Sequence, residues 1–323
     1  MTKGPLVSIL IPVYNRRSMI EQCVDSALRQ TYETVEVVIV DNASSDGTWE
    51  ACQRLAFHDP RVRVFQNDSN IGPVRNWRRC LTEARGEYAK FLYSDDLLKP
   101  RFLELLMPFL RDGKVGLAFC APEIGETERS GVLTFAWAMK SGKYESQRFI
   151  NDALFGGRVS ASPCAVLSRL EDLKASLYEQ LPSLPWGDFT SHGAGSDLLM
   201  LLLTAQRYPL VGFVSDPLVF FRRHSGSITI QNLSHRGLTD YYNQAKVWFC
   251  AEYMSGRWAR LLLLHLWLAE TKHRHRWLPF KSFSLRYGHC SFPIRSVDVI
   301  RCLACTVRAK GFYPNSVLPP EAL

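Results

Sequence analysis

The chain has 323 residues, of which 46% are hydrophobic and 22% are charged, and its formal net charge is +8. This composition is typical of a globular protein with a sizeable core and excludes a disordered or low-complexity chain. The longest nearly apolar run, Leu261–Ala269, is far shorter than the roughly 20 residues needed to span a bilayer, and the first residues lack the pattern of a secretory signal. Nine cysteines, an odd number, indicate core thiols in a reducing cytoplasm rather than a disulfide framework.

Strand and helix patterns alternate through the first hundred residues. Short apolar runs predict four buried strands, at Val7–Ile11, Val35–Val40, Val62–Phe65 and Tyr88–Leu92. Helical spacing predicts three helices between them, at Ile20–Leu28, Thr48–Leu55 and Val74–Ala84. Ser18 and Glu21 have the spacing of a capping box for the first helix. Regular βαβ alternation predicts an α/β fold with a mainly parallel sheet flanked by helices.

The second part of the chain predicts fewer regular elements. Helices are expected at Phe102–Leu110 and Asp197–Ala205. Strands are expected at Val115–Cys120, Leu210–Val214 and Leu218–Phe221. Residues 121–147 have a weaker pattern and suggest a hairpin or excursion. From about Thr239 the pattern is helical and basic. We therefore expect a catalytic domain over residues 1–230 and a helical C-terminal region over residues 231–323.

Polar side chains follow each of the first four predicted strands. These segments are Pro12–Asn15, Asp41–Gly47, Asn67–Gly72 and Ser94–Asp96. In an open parallel sheet, ligands bind beyond the carboxyl ends of the strands. The sequence therefore predicts a binding site at this edge.

Three carboxylates at this edge have both functional and structural interpretations. Adjacent Asp95 and Asp96 suit a divalent cation that neutralises phosphate, although a solvated turn or a helix N-cap would use the same residues. Asp41 could accept a hydrogen bond from a nucleobase or a ribose, or could be a turn residue. Asp46 is expected to cap the helix that begins at Thr48.

These segments resemble, in order and spacing, the motifs of glycosyltransferase family 2. The resemblance lies in Pro12-Val-Tyr-Asn15, Val40-Asp-Asn-Ala-Ser-Ser-Asp-Gly-Thr48, Asn70-Ile-Gly72 and Phe91-Leu-Tyr-Ser-Asp-Asp96, and extends over about residues 5–230. It implies the A-type nucleotide-diphospho-sugar transferase fold and transfer of a sugar with inversion at the anomeric carbon. Many members have Asp-x-Asp-Asp where this chain has Tyr93-Ser-Asp-Asp96, so Tyr93 stands in place of the first carboxylate.

The resemblance also implies roles for individual residues. Pro12, Val13, Tyr14 and Asn15 would line the nucleobase, and Asp41 would bind uracil. Asn70 and Arg75 would lie near the ribose or phosphates. Asp95 and Asp96 would bind the ribose and a Mg²⁺ or Mn²⁺ ion. The sequence leaves open which of the two acids contacts the metal.

An inverting transfer also needs a base for the acceptor hydroxyl. Asp197, which precedes an apolar helix, is favoured over Asp188, although a carboxylate at that place could simply cap the helix. The segment Phe221-Arg-Arg-His224 resembles a closing motif of the family, in which His224 would ligate metal and Arg222 or Arg223 would neutralise phosphate. Residues 225–234 would form a lid, and Trp186 and His192 would shape the sugar pocket or simply pack.

The C-terminal region combines positive charge with aromatic residues. Between Arg257 and Lys310 there are 11 Lys and Arg residues against two acids. An anionic membrane surface and a solvated helical face are both open interpretations; a nucleic-acid partner is not expected. Cys302-x-x-Cys305, with His289 and Cys290, predicts core thiols rather than a zinc site.

The functional hypothesis is a cytoplasmic enzyme, peripheral on the inner face of the cell membrane if the tail binds it. It would use a UDP-sugar, or failing that a GDP- or dTDP-sugar. The acceptor would be a glycan, on a lipid carrier in bacterial surface polysaccharide synthesis. The alternatives are an inactive glycan-binding or scaffold protein and, ranked lower because no Gly-rich triphosphate loop is present, a sugar nucleotidyltransferase.

Overall fold

The structure, a computed structural model, describes residues 4–160, 162–182, 188–227, 237–274, 279–287 and 298–302. The N-terminal part alternates strands and helices as β1 Val7–Val13, α1 Ile20–Leu28, β2 Val35–Asp41, α2 Thr48–His58, β3 Val62–Gln66, α3 Pro73–Glu83 and β4 Tyr88–Phe91. The middle part comprises β5 Leu97–Leu98, α4 Phe102–Leu110, β6 Val115–Gly125, β7 Val132–Leu133, β8 Gly142–Glu145 and α5 Ser146–Phe155. The last part comprises β9 Val166–Arg169, α6 Leu170–Ser176, α7 Ser196–Gln206, β10 Leu210–Arg222, α8 Gly237–Tyr253, α9 Gly256–Arg274 and α10 Phe280–Leu285.

In these ranges the strands form one mixed sheet, which confirms the predicted fold class. Its order is β3-β2-β1-β4-β9-β6-β10-β5, with β7 beside β6 and β8 beside β10. The first four strands, β1 to β4, are parallel to one another, as expected of βαβ units. Strand β9 is antiparallel to both β4 and β6, so the sheet is not parallel throughout.

Alternate residues of each central strand supply two separate cores. Ile9 and Ile39 pack with α1, α2 and α4 on one face of the sheet. Leu10 and Val38 pack on the opposite face, with α3, α5, α6 and α7. Helices α8 and α9 belong to that second core, and in the described residues no helix combines the length and apolarity needed to cross a bilayer. Both faces of the sheet are covered, which leaves its edges for ligands.

Several local predictions are corrected by the structure. Helix α1 begins after Met19 without a side-chain cap, so the capping box of Ser18 and Glu21 is wrong; Glu21 instead pairs with Arg17 at 3.0 Å. The two strands predicted over residues 210–221 are one strand, β10, whose pairing with β6 shifts register around Pro217. Elements α5, β9 and α6 were not predicted, because their apolar patterns are short.

Candidate active site

The loops after β1 and β2 interlock through Ser44. Asn15, in the left-handed region at φ +51°, donates its backbone N–H to Ser44 Oγ at 2.8 Å. Asp41 accepts hydrogen bonds from Ser44 Oγ at 2.5 Å, Ser44 N at 3.1 Å and Gln66 Nε2 at 3.0 Å. The Asp41 side chain is 0% exposed. Asp41 thus lies at the predicted edge, with its carboxylate engaged in its own turn.

The segment Pro12–Asn15, called the nucleobase motif below, has one exposed side chain. Pro12 and Val13 are buried within β1, whereas Tyr14 is 43% exposed. An exposed aromatic ring beside the locked Asn15 turn gives a planar base a surface for stacking. Tyr14 is therefore the member of the motif best placed to meet a nucleobase.

Asn70 and Arg75 both make protein contacts. Asn70 Oδ1 accepts hydrogen bonds from Asn42 Nδ2 at 2.8 Å and Gly72 N at 3.0 Å, which shapes the turn into α3. Arg75 Nε donates to Glu179 Oε2 at 3.2 Å. The Arg75 charge also helps to lower the pKa of Asp188. Arg75 therefore faces the segment before α7, on the side of Asp188.

Asp95 lies between two cationic or potentially cationic side chains. His224 Nε2 is 3.0 Å from Asp95 Oδ2, and Arg16 Nε is 3.7 Å from the same oxygen. Burial acts to raise the pKa of Asp95, but the hydrogen bond with His224 and the charge of Arg16 hold it below its usual value. Asp95 is therefore an ionised carboxylate that meets a histidine, although the two residues are 129 positions apart.

Asp96 is in a different environment from its neighbour. Its Oδ1 accepts a hydrogen bond from Arg222 N at 3.0 Å, and its carboxyl also contacts the Cys164 thiol. Burial and the adjacent charge of Asp95 raise the pKa of Asp96 well above its usual value. Beneath it, the buried Lys90 donates to Cys164 O at 2.7 Å. Asp96 thus behaves as a structural acid that ties β4 to β10.

The donor set around Asp95 fits a divalent cation that is completed by a ligand. Among the described residues no group of three or more His, Cys, Asp or Glu side chains is arranged to hold a metal. Asp95 and His224 supply one oxygen and one nitrogen at 3.0 Å separation, a pair that suits Mn²⁺ or Mg²⁺ when phosphate oxygens and water fill the other positions. Asp96 is less available to a metal, because its Oδ1 accepts a hydrogen bond from Arg222 N and its carboxyl contacts the Cys164 thiol.

The two candidate bases are clearly distinguished by their surroundings. Asp188 accepts hydrogen bonds from Thr190 N and Oγ1 at 2.8 and 2.6 Å, and these bonds lower its pKa. Burial raises the pKa of Asp197 to about 6. A carboxylate with a pKa near neutrality is a better proton acceptor than one with a lowered pKa. The buried surroundings of Asp197 therefore suit a general base better than the hydrogen-bonded turn of Asp188 does.

Two residues of this site were missed in the sequence. Arg16 directly follows the Pro12–Asn15 motif, and its Nη2 donates to Gly226 O at 2.9 Å, which links that motif to the segment after His224. Tyr242 of α8 donates to Asp197 Oδ2 at 2.7 Å. The position of Arg16 beside a motif was a usable signal, whereas nothing near Tyr242 in the sequence marks it.

Other predicted residues lie near the site or outside the described ranges. Arg222 Nε donates to Asp95 O at 3.1 Å and its Nη2 to Gln22 Oε1 at 2.9 Å, so it braces the acidic motif. The ring of His192 lies 4.0 Å from that of Tyr241. Trp186, most of the expected lid, and the residues His289, Cys290 and Cys305 lie outside the described residues.

Comparisons with known proteins match the chain to glycosyltransferases. A family model described as Glycosyl transferase family 2 matches residues 8–164. The putative teichuronic acid biosynthesis glycosyltransferase TuaG of Bacillus subtilis is 33% identical over 141 residues, which cover 44% of this chain and 56% of that protein. The hyaluronan synthase of Pasteurella multocida is 43% identical over 113 residues, which cover 35% of this chain and 12% of that protein.

A solved structure has the same fold over most of the chain. The crystal structure of S. aureus TarS 1-349 in complex with UDP-GlcNAc has a TM-score of 0.63 and 17% identity, covering 95% of this chain and 81% of that one. At this identity the likeness concerns the fold alone. The matched segments span 56% of the length of TuaG and 12% of the length of the hyaluronan synthase.

Proposed function

We propose that the chain, whose residues 8–164 match the family model of glycosyl transferase family 2, moves one sugar from a UDP-sugar to an acceptor hydroxyl with inversion. The observation that carries the proposal is the meeting of Asp95 and His224 at 3.0 Å, on the sheet edge that also carries the nucleobase motif. A nucleoside diphosphate brings several negative charges, and Arg16 adds a cation at the same place. The UDP-GlcNAc named for TarS supports uridine as the base.

The proposed metal ligands are Asp95 and His224, with Asp96 in a structural role. When bound, a divalent ion would neutralise the charge that develops on the diphosphate as the sugar–phosphate bond breaks. Mn²⁺ is named for a mannosyltransferase of Pyrobaculum calidifontis with GDP-Man, which has a TM-score of 0.50 to this chain. Asp96 is assigned the structural role because its carboxyl already accepts a hydrogen bond from Arg222 N and contacts the Cys164 thiol.

Asp197 is the proposed base. As the acceptor oxygen bonds to the anomeric carbon, its proton passes to the Asp197 carboxylate, and the nucleoside diphosphate leaves with the electrons of the broken bond. Because the pKa of Asp197 is about 6, most of this carboxyl is ionised at neutral pH and still holds a proton better than an ordinary aspartate does. Its negative charge would also stabilise the oxocarbenium-like transition state.

The proposed acceptor is a growing surface glycan, on a lipid carrier. Teichuronic acid and hyaluronan, the products named for two relatives, support a polysaccharide acceptor. The basic C-terminal region supports contact with an anionic membrane surface, because such charges attract anionic lipid headgroups. The proposed location is therefore the inner face of the cell membrane, held peripherally.

The test is a screen of UDP-, GDP- and dTDP-sugars for hydrolysis, with Mn²⁺ or with EDTA. We expect release of UDP that requires the metal, is abolished by Asp95→Asn and survives Asp188→Asn. Asp96→Asn is the matched control, because an amide of the same shape keeps an acceptor oxygen for Arg222 N. Absence of turnover with every donor, together with absence of metal-dependent nucleotide binding, would contradict the enzyme proposal and favour a scaffold protein.

A further inference from the structure

The C-terminal helix α8 reaches the proposed base. Tyr242 Oη donates to Asp197 Oδ2 at 2.7 Å, while Asp197 Oδ1 accepts from Gly195 N at 2.9 Å and Leu198 N at 2.7 Å. The two backbone donors belong to the N-terminus of α7, and Tyr242 comes from another part of the chain. We propose that Tyr242 is a positioning residue for Asp197, which makes α8 part of the active site; this rests on the proposed role of Asp197.

The fit between α8 and the Asp197 loop is close. Gly195 has φ +94°, and a Cβ added there would lie 2.9 Å from Tyr241 O and 2.6 Å from the Phe189 ring. The Tyr241 ring lies 4.0 Å from that of His192. The loop before Asp197 is thus held between the start of α8 and the Phe189 ring, so the Tyr242 hydroxyl meets a carboxylate that has little freedom to move away.

The hydroxyl opposes the effect of burial on Asp197. Burial raises the pKa of Asp197, whereas a hydrogen bond donated to the carboxylate favours the ionised form and lowers it. Among the described residues, the Tyr93 phenol, from the segment after β4, also interacts electrostatically with Asp197. The pKa values of both phenols are raised, so neither adds a negative charge at neutral pH. Tyr242 therefore both orients Asp197 and favours its ionised form.

The experiment compares Tyr242→Phe with Tyr287→Phe. Tyr287 is the matched control, because its hydroxyl meets α8 at Asp240 (3.2 Å) and Asn243 (3.4 Å) but does not contact Asp197. For Tyr242→Phe we expect the acid limb of kcat/KM for UDP-sugar transfer or hydrolysis to move up by about one pH unit. We also expect kcat to fall while KM for the donor stays within about twofold, since the nucleotide contacts are elsewhere. Tyr287→Phe is expected to leave the pH profile unchanged.

A direct titration separates this proposal from the proposed function. The pKa of Asp197 is measured by carboxyl-carbon NMR, with Asp197→Asn to assign the signal, and is expected to rise in Tyr242→Phe even if no donor is turned over. An unchanged Asp197 titration in folded Tyr242→Phe overturns the positioning role. If the pKa of Asp197 rises in Tyr242→Phe but Asp197→Asn keeps full activity, the assignment of Asp197 as base fails instead. The role of Tyr242 in catalysis then fails with it.

Discussion

Replacing Gly193 by alanine is expected to disturb the loop that carries the proposed base. Gly193 has φ +76°, and an added Cβ would lie 2.3, 2.8 and 3.0 Å from three atoms of the Trp77 indole. Trp77 is itself fixed, since it stacks on Tyr93 at a ring distance of 5.7 Å. Gly193 O accepts the backbone N–H of Asp197 at 3.2 Å. A shift of Gly193 would therefore move Asp197.

The expected cost has two parts. A residue other than glycine in the left-handed region costs about 1–2 kcal/mol, and overpacking against a rigid ring adds roughly 1–3 kcal/mol. Gly156 isolates the first part, because it has φ +83° but nothing lies within 4 Å of its added Cβ. We therefore expect a loss of about 2–5 kcal/mol for Gly193→Ala and of about 1–2 kcal/mol for Gly156→Ala.

Urea unfolding, followed by circular dichroism and tryptophan fluorescence, gives the two free energies of unfolding. Donor hydrolysis at neutral pH gives the effect on the site. Gly193→Ala is expected to lose activity under conditions where it is still folded, whereas Gly156→Ala keeps wild-type turnover. Equal destabilisation by the two substitutions, with equal activities, would refute the reasoning from the Trp77 contact.

Three further predictions concern charge. Wild-type kcat/KM is expected to fall as pH drops through about 6, because Asp197 must be ionised to accept a proton; a flat profile between pH 5 and pH 8 contradicts this. Glu36 accepts from Ser8 Oγ at 2.6 Å, Arg85 N at 2.7 Å and Arg63 Nη1 at 2.9 Å. These bonds outweigh burial and lower the pKa of Glu36 below 4.5, so its contribution to stability is present above that pH and lost as pH falls through the lowered value. Glu36→Gln is therefore expected to lower the free energy of unfolding by about 1–3 kcal/mol in urea at pH 7 and by less at pH 3. An equal loss at both pH values would contradict the stabilisation by the ionised Glu36 carboxylate. For the membrane, replacing four exposed cations by glutamine is expected to weaken binding of the full chain to anionic vesicles and reduce its dependence on salt. These cations are Arg257, Lys272, Lys281 and Arg301. Unchanged vesicle binding would refute the membrane role of the tail.

The sheet edge could be predicted from the sequence because its signals are local. Each buried strand is a short apolar run, and each is followed directly by the polar residues that parallel strands bring to one edge, as for Asp41 and Asp95. The resemblance of the segment Phe221-Arg-Arg-His224 to a family motif also predicted that His224 lies near the acids, although it is 129 positions from Asp95 in the chain.

Contacts within that edge could not be predicted, since they depend on side-chain packing. Adjacent Asp95 and Asp96 look equivalent in the sequence, but one meets His224 and the other is buried against Arg222 N. Asn70 was predicted to lie near the ribose or phosphates, and its hydrogen bonds to Asn42 and Gly72 within the turn before α3 had no signal in the sequence. Tyr242 lies in a segment with helical and basic character, and only the packing of α8 against α7 brings it to Asp197.

Calorimetric titration of UDP into wild type, Asp95→Asn and Asp96→Asn, each with Mn²⁺ and with EDTA, tests the central claim most directly. The account predicts that Mn²⁺ tightens UDP binding to the wild type and to Asp96→Asn by tenfold or more (about 1.4 kcal/mol), because an ion held by Asp95 and His224 would neutralise the diphosphate. It predicts no such effect on Asp95→Asn. Metal-dependent binding that survives in Asp95→Asn but is lost in Asp96→Asn would contradict it.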